Sequence, residues 1–346
     1  MDATILLLLV QDGVVNGAIY ALIALSLVLV FAVTRVILIP QGEFVAFGAL
    51  TLAAIEAGQV PGTAWLLLAL GLAAALFDLA EARATLTLRR ALRIILGDVV
   101  LPLVLVALAA WLAPQRPPMG VRILLALALV APLGPYLYSV AFRPLGEASV
   151  LTLLIASVGV HLALTGLGLV FFGAEGSRTQ TLSDASLSLG DLLVTGQSLW
   201  MVGATGALMA ALYLFFERTL VGKSLRATAV NRLGARLVGI APALSGRLAF
   251  GMAAFVGALS GILVSPITTV YYDTGFIVGL KGFVAAIIGG LASYPAAAAA
   301  AILVGIVESL SSFWASAFKE VIVFLSIIPV LLWRSLAHPA IEEDEE

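Results

Sequence analysis

The chain has 346 residues, of which 62% are hydrophobic and only 11% are charged, with a formal net charge of -2 and no cysteine. An average soluble domain carries about 25% charged residues, so this composition excludes a soluble enzyme or binding module and indicates a membrane protein. The absence of cysteine also excludes disulfide and thiol chemistry.

Apolar segments of the length that crosses a bilayer, about 20 residues, recur along the whole chain. Their solid apolar character predicts an all-α, polytopic transmembrane helical bundle and argues against a β-barrel, whose strands alternate in polarity. We expect about 9–11 spans, some of them broken or re-entrant, in a single transmembrane domain over residues 1–346. The candidate spans cover 11–33, 41–57, 63–80, 97–113, 121–141, 150–172, 198–216, 246–264, 281–294, 296–313 and 318–334.

Two of these segments are weak candidates for a full crossing. The 41–57 segment is short and contains two glutamates, and the 281–294 segment is shorter still and is followed by a proline. Either could be a broken or re-entrant helix, because irregular backbone is tolerated at membrane depth where protein surrounds it. The full count is preferred, since removing both crossings would place Arg35 and Arg334 on the outer side.

A basic stretch between residues 217 and 247 fixes the predicted orientation. Short basic loops are retained in the cytoplasm, and this placement puts most of the 18 lysine and arginine residues on the cytoplasmic side. The N-terminus is then outside, the C-terminus is cytoplasmic, and residues 335–346 form an acidic cytoplasmic tail. The stretch contains Arg218, Lys223, Arg226, Arg232, Arg236 and Arg247, and the basic residues left outside are Arg116, Arg122, Arg178, Lys281 and Lys319.

Five segments follow one known pattern in the same order along the chain. They are NGAIYALIALSLVLVFAVTRVILIPQGEFVAFGA (16–49), FRPLGEAS (142–149), LLIASVGVHLALTGLGLVFFG (153–173), GKSLRATAVNRLGARLVGI (222–240) and GLKGFVAAIIGGLASYPAAAAAAILVGIVES (279–309). Together they resemble permease subunits of branched-chain amino-acid ABC importers. Two departures stand out: residues 38–41 replace the family's Asn-Phe-Ala-His before Gly-Glu, and residues 81–120 look like an inserted hairpin.

The resemblance implies a transport subunit of the bacterial inner membrane that is not itself an enzyme and needs no cofactor or metal. Two ABC ATPase subunits would hydrolyse ATP. A second permease subunit would complete a homo- or heterodimer, and an extracytoplasmic solute-binding protein would deliver the solute. Membrane lipid would surround the spans, and no contact with nucleic acid is expected.

Residues 217–247 would be the cytoplasmic coupling loop that the ATPase subunits grip. The acid of the family's coupling pattern is missing here, but an alanine and a glycine at the expected spacing remain, and these small residues would allow close approach. The alternative is that the loop serves only as a positive topology anchor. The candidate coupling residues are Arg226, Asn231, Ala235, Arg236 and Gly239.

Polar residues within the spans suggest function, because an ionisable residue there costs about 2.5–3.5 kcal/mol on insertion scales. Glu43 could shape a helix break beside the solute pathway, or be an acid at a helix N-terminus. His161 could be a bonded packing residue or line the pathway, and Asn16 and Tyr20, which share one helix face, have the same alternatives. A structural hydrogen bond to a neighbouring helix is expected for Glu308. The candidate pathway and helix-break residues are Asn16, Tyr20, Gln41, Gly42, Glu43, His161, Gly289, Gly290 and Ser293.

The leading functional hypothesis is inward transport of branched-chain amino acids or related small polar solutes by alternating access. Urea, short amides and aromatic acids are alternative solutes within the same resemblance. A different class, an ion- or proton-coupled secondary transporter, would use ionisable sites within the membrane and internal repeats. An intramembrane enzyme is disfavoured, since the sequence contains neither HExxH nor GxSxG.

Overall fold

The computed structural model describes residues 3–83, 87–146, 148–189, 192–291 and 293–337. Helices account for nearly all of its regular structure, and one antiparallel hairpin pairs β1 (Ser186–Leu189) with β2 (Leu192–Thr195). The helices are α1 (Ala3–Thr34), α2 (Gln41–Glu56), α3 (Thr63–Ala82), α4 (Leu88–Ile95), α5 (Leu101–Leu112), α6 (Met119–Val130), α7 (Leu133–Leu137), α8 (Val150–Phe172), α9 (Gly196–Arg218), α10 (Leu220–Val230), α11 (Arg232–Leu237), α12 (Pro242–Val264), α13 (Thr274–Ile288), α14 (Tyr294–Trp314), α15 (Lys319–Leu325) and α16 (Ile327–Ala337).

Nine helical stretches of the described residues are long and apolar enough to cross a bilayer, judged by length and composition. The predicted all-α polytopic bundle is therefore confirmed. The two weak segments are the exceptions, since α2 and α13 have only 16 and 15 residues. The nine stretches are Thr4–Thr34, Thr63–Ala82, Leu88–Gln115, Met119–Leu145, Val150–Phe172, Gly196–Arg218, Pro242–Val264, Tyr294–Trp314 and Ser316–Trp333.

The centre of the bundle is α1, which packs against α9, α12, α13 and α14. Its closest neighbour is α14, because Gly13 and Gly17 present no side chain to that helix. A Cβ atom at Gly17 would lie 2.7 Å from the Cα atom of Ile302, and one at Gly13 would lie 2.6 Å from the Cα atom of Ile306. Small residues at this spacing let two membrane helices bring their backbones together.

The helix ends form two opposite faces. The basic face carries the α10–α11 segment, the turn at Arg143–Leu145 and the turn between α13 and α14. The hairpin face carries β1 and β2, the end of α2 and the beginning of α6. On that face the backbone N–H of Gln180 donates to Glu56 at 3.2 Å, and Arg122 lies 4.0 Å from the same carboxylate.

Two short helices, α2 and α13, begin near the middle of the bundle. Gln41, the first residue of α2, donates through Nε2 to the carbonyl oxygen of Ala253 at 3.0 Å, and Ala253 is the central residue of α12. At 1.5 Å per residue the two helices are about 24 and 22 Å long, less than the hydrocarbon core of about 30 Å. Each is a half-helix that follows a non-helical segment, 35–40 before α2 and 265–273 before α13.

The first turns of the two half-helices cross in direct backbone contact. A Cβ atom at Gly279 would lie 3.0 Å from both N and Cα of Gly42, and a Cβ atom at Gly42 would meet the carbonyl group of Gly275. Both weak segments are thus short helices that begin inside the bundle, which agrees with the broken-helix alternative, and the preferred full crossing stays a prediction. The second helix, however, covers 274–288 instead of the predicted span 281–294, because its buried lysine, Lys281, is paired with carboxylates and does not end the helix.

The 81–120 region, predicted as a hairpin, pairs α3 with the continuous stretch Leu88–Gln115. Three of its basic residues, Arg89, Arg90 and Arg93, lie on α4 and extend the span toward the basic face, where the sequence pattern indicated a loop. Asp98 and Arg247 were expected at a span end and in a loop, but Asp98 is buried in this stretch and Arg247 in α12 bonds it at 2.9 Å. Arg247 also bonds Asp78 of α3 at 2.9 Å. These ion pairs tie three helices together at the basic face.

Candidate functional site

The first turn of α2 carries a buried hydrogen-bonded pair of ionisable side chains at mid-depth. Nδ1 of His161, in the middle of α8, lies 2.6 Å from Oε1 of Glu43, and the two side chains are 12% and 1% exposed. The imidazole stacks on Phe276 of α13, with ring centroids 4.4 Å apart. The pair therefore joins α2, α8 and the beginning of α13.

This cluster retains unused hydrogen-bonding capacity. Among the described residues, neither Oε2 of Glu43 nor Oε1 of Gln41 has a partner. A buried carboxylate costs several kcal/mol unless it is paired, and the pairing with His161 reduces that cost for only one of the two oxygens. The hydroxyl of Thr165, one turn along α8, is 3.5 Å from the same ring nitrogen.

Four candidate residues thus lie together: the consecutive Gln41, Gly42 and Glu43 of α2, and His161 of α8, which is distant in the sequence. Gly42 serves close backbone contact with α13, while Gln41 fixes α2 to α12. Asn16, half-buried on α1, is not part of this cluster.

Tyr20 belongs to a second buried cluster, formed with Glu308 of α14 and Lys281 of α13. The phenol donates to Oε2 of Glu308 at 2.5 Å, and Lys281 donates to Oε1 at 2.5 Å. Lys281 also donates to Glu320 of α15 at 3.1 Å. Of the two alternatives for Tyr20, the structure shows the bond across helices, and the structural bond expected for Glu308 is confirmed.

Lys281 was predicted to lie on the outer side, where the span 281–294 begins, but it is 5% exposed within α13. The missed signal is that apolar residues flank it on both sides, over 276–278 and 283–288, as they would inside one continuous helix.

Gly289, Gly290 and Ser293 form the turn between α13 and α14 at the basic face. Gly290 has φ +85°, and Ser293 caps α14 by accepting a hydrogen bond from the N–H of Ala296 at 3.5 Å. These residues therefore end α13 and begin α14. Two further helix breaks lie at the beginnings of α2 and α13, and a role of Gly289, Gly290 and Ser293 in the pathway stays a prediction.

The α10–α11 segment is held by local capping bonds. The side chain of Asn231 accepts a hydrogen bond from the N–H of Gly234 at 2.8 Å and so begins α11. Gly239, with φ +85°, ends it: its N–H donates to Arg236 and the next N–H donates to Ala235. This is the Schellman arrangement, which favours glycine.

Two candidate coupling residues have structural roles within the chain. A Cβ atom at Gly239 would meet nothing of this chain within 4 Å, so within the chain the glycine serves its φ of +85°, and its close approach to an ATPase subunit stays a prediction. Ala235 is 3% exposed and faces the chain's own interior. Arg226 is exposed and pairs with Glu217 at 2.8 Å.

Large apolar side chains project from this otherwise polar segment. Leu237 is 81% exposed and Val238 is 74% exposed. Beside them, a groove of about 580 Å³ separates α11 from the turn at Arg143–Leu145, and it is lined in part by Arg143, Arg232 and Arg236. Nε of Arg232 is buried and has no partner among the described residues. The surface thus combines apolar side chains with positive charge.

Similarity to known proteins decides the family. The sequence profile described as "Branched-chain amino acid transport system / permease component" matches residues 96–332. The chain belongs to this permease family. The matched residues of the permease include α8 and the α10–α11 segment but not α1 or α2. The inserted character of 81–120 and the roles of Gln41 and Glu43 therefore stay predictions.

Curated relatives of the permease have the same description. The high-affinity branched-chain amino acid transport system permease protein LivH of Salmonella typhimurium is 30% identical over 233 residues, 63% of this chain and 74% of that protein. LivH of Escherichia coli is 29% identical over 230 residues, with the same coverage. BraD of Pseudomonas aeruginosa is 27% identical over 214 residues, 59% of this chain and 70% of that protein.

A solved structure, PsaBC from Streptococcus pneumoniae in complex with Fab, matches 95% of this chain and 91% of its own. Its identity of 12% and TM-score of 0.38 are too low to support an inference about this permease. Family membership and the nine apolar helical stretches of the described residues make the chain a multi-pass inner-membrane permease of the ABC importer type.

Proposed function

We propose that this permease moves branched-chain amino acids or related small polar solutes inward by alternating access, driven by separate ATPase subunits. Family membership and the description of its relatives support the solute class. The observation that carries the proposal is the exposed apolar and basic surface of α10 and α11.

The α10–α11 segment is the proposed contact with the ATPase subunits. Exposed apolar side chains in a polar segment mark protein interaction sites, and Leu237 and Val238 stand at the end of a helix whose two caps hold it in place. A helix that is fixed by capping bonds at both ends transmits a movement of the ATPase subunits to the spans better than a flexible loop does. Arg232 and Arg236, at the rim of the groove, would attract acidic side chains of the partner and steer its docking.

The orientation follows from this contact. With the basic face in the cytoplasm, residues 217–247 meet the ATPases, and the hairpin face receives the extracytoplasmic solute-binding protein. The positive-inside rule supports the same choice. The N-terminus is then outside and the C-terminus cytoplasmic, where the proposed acidic tail, 335–346, begins; its residues 338–346 lie outside the described part of the chain.

The proposed solute path runs along α8, opposite a second permease subunit. Gly159 and Gly166 of α8 have open space where a Cβ would be, whereas His161, at mid-depth, lies on the other side of the helix and faces α2. In many transporters the substrate site lies near the bilayer midplane and is formed by discontinuous helices. Motion of α2 against α13 at the Gly42–Gly275 contact would open the middle of the bundle first to one side of the membrane and then to the other.

A co-purification experiment tests the coupling surface. The tagged permease, expressed with its ATPase subunits and isolated in mild detergent, is expected to retain them and their ATPase activity. Leu237→Glu should abolish that retention, because it places a charge in the apolar centre of the contact. The control is Leu193→Glu, at a leucine of the hairpin face that is 58% exposed, against 81% for Leu237. Equal retention by both variants would contradict the proposed contact.

A secondary transporter remains the second candidate, because the Glu43–His161 and Lys281–Glu308 pairs place ionisable groups at membrane depth. The two functions separate in proteoliposomes. Uptake that continues without ATP and stops with a protonophore would favour the secondary transporter, whereas uptake that requires ATP and ignores the protonophore would exclude it.

A further inference from the structure

A cavity of about 800 Å³ opens at the basic face between α1, α9, α10 and the α13–α14 turn. This volume is within the range of about 300–1,000 Å³ that is typical of ligand pockets. Its walls are mainly apolar and include Leu29 and Ala32 of α1, Met209 and Leu212 of α9, and Leu225 and Ala229 of α10.

The cavity is apolar at one end and charged at the other. Along α1 it extends from Leu25 to Arg35, a rise of about 15 Å, which is half of the hydrocarbon core of about 30 Å and hence one leaflet. Its charged lining residues are Arg35 after α1, Glu217 in the last turn of α9 and Arg226 of α10, all at the basic face. Such a cavity matches the shape and polarity of one lipid molecule in one leaflet.

The charged end has an excess positive charge. Arg226 is neutralised by Glu217, whose carboxylate lies 2.8 Å away. Arg35 is exposed, and its guanidinium lies 6.0 Å from the ring centroid of Phe31. No carboxylate within the described ranges forms an ion pair with Arg35. An unneutralised arginine at the headgroup level attracts anionic lipid.

We propose that this cavity binds an anionic phospholipid, with an acyl chain along α1 and α9 and the phosphate at Arg35 and Arg226. A small polar solute does not fit, because the depth of the cavity is lined by hydrocarbon side chains. An ATPase loop does not fit either, since it would have to enter about 15 Å into the bilayer. The proposal does not depend on which solute is transported.

The bound lipid would contact the segment that we propose to couple ATP hydrolysis to transport. Leu225 and Ala229 of α10 form one wall, and Gly290 and Leu291 form part of another. Filling the space between them would hold α10 against α1. Transport should then depend on anionic lipid as well as on ATP.

Lipid binding to the purified permease tests the proposal directly. The delipidated protein is placed in nanodiscs of phosphatidylcholine containing increasing phosphatidylglycerol, and bound phosphatidylglycerol is measured by mass spectrometry after isolation. We expect one tightly retained phosphatidylglycerol per permease. Arg35→Gln should weaken its binding about fivefold, the equivalent of about 1 kcal/mol for one arginine near the surface.

Two further variants separate the site from general effects. Arg116→Gln is the matched control. Like Arg35, Arg116 follows a helix end with positive φ, but it lies at the hairpin face. This variant should bind phosphatidylglycerol normally. Ala32→Trp fills the cavity without changing charge and should displace the lipid while the protein stays monodisperse.

Four results would overturn the proposal. Two concern retention: equal retention of phosphatidylglycerol by all variants, or equal retention of phosphatidylcholine. The other two are displacement by millimolar inorganic phosphate, which would indicate a site for free phosphate, and a bound peptide in the cavity.

Discussion

Replacing Lys281 with methionine would leave a carboxylate unpaired inside the bundle. Lys281 lies between Glu308 at 2.5 Å and Glu320 at 3.1 Å, and its side chain is 6% exposed. Removing one partner of a buried ion pair costs about 3–5 kcal/mol. Because Glu320 is about one-third exposed and can turn to solvent, only Glu308 stays buried, and we expect about 3 kcal/mol, the lower end of that range.

The loss should be reversed by removing the second charge. In the double variant Lys281→Met/Glu308→Gln no unpaired charge is buried, and the new amide can still accept the hydrogen bond from Tyr20. We expect the double variant to lose only about 1 kcal/mol, the net value of a typical hydrogen bond. Stability is measured as the free energy of unfolding in mixed micelles of increasing SDS content.

Lys319→Met is the control for this series. Lys319 is half-exposed and lies 3.9 Å from Glu320, so its removal should change stability by less than about 0.5 kcal/mol. The reasoning is refuted if Lys281→Met is as stable as the native permease, or if the double variant is less stable than the single one.

Three further predictions concern packing, the polar pair and the coupling segment. Gly17→Val should abolish the yield of monodisperse protein in size-exclusion chromatography, because a Cβ at Gly17 already meets the backbone of α14; a normal elution profile would contradict the tight α1–α14 contact. Glu43→Gln should reduce ATP-driven uptake while leaving expression unchanged, since His161 then loses its charged partner. Gly239→Ala should cost about 1–2 kcal/mol locally, because alanine disfavours φ +85°. The measured result should be fewer solute molecules transported per ATP hydrolysed, and an unchanged ratio would argue against α11 as the coupling element.

The sequence could predict the class of fold because each full span is a long apolar run whose helical length is set by the bilayer. It could also locate the half-helix α2, since Gln41 and Glu43 stand at the beginning of a segment too short to cross. It failed at α13, where a charge was taken as a boundary. A buried Lys281 is tolerable only because Glu308 and Glu320 approach from other helices, and a single sequence does not contain that proximity.

The site was predictable in its residues but not in its geometry. Glu43 and His161 were each selected as polar residues in spans, but their pairing depends on where α2 begins relative to the middle of α8. Ala235 was selected as a contact for a partner because it is small, whereas the winding of α11 turns it inward. Leu237 is the side chain that faces outward, and nothing in the sequence marked it as a contact residue except its helical spacing from its neighbours.

The most direct test of the central claim is solute uptake into proteoliposomes that contain the permease and its ATPase subunits. We expect accumulation of a branched-chain amino acid that requires ATP and the solute-binding protein, persists with a protonophore, and is lost in Leu237→Glu. Accumulation driven by an ion gradient in the permease alone, without ATPase subunits, would contradict it.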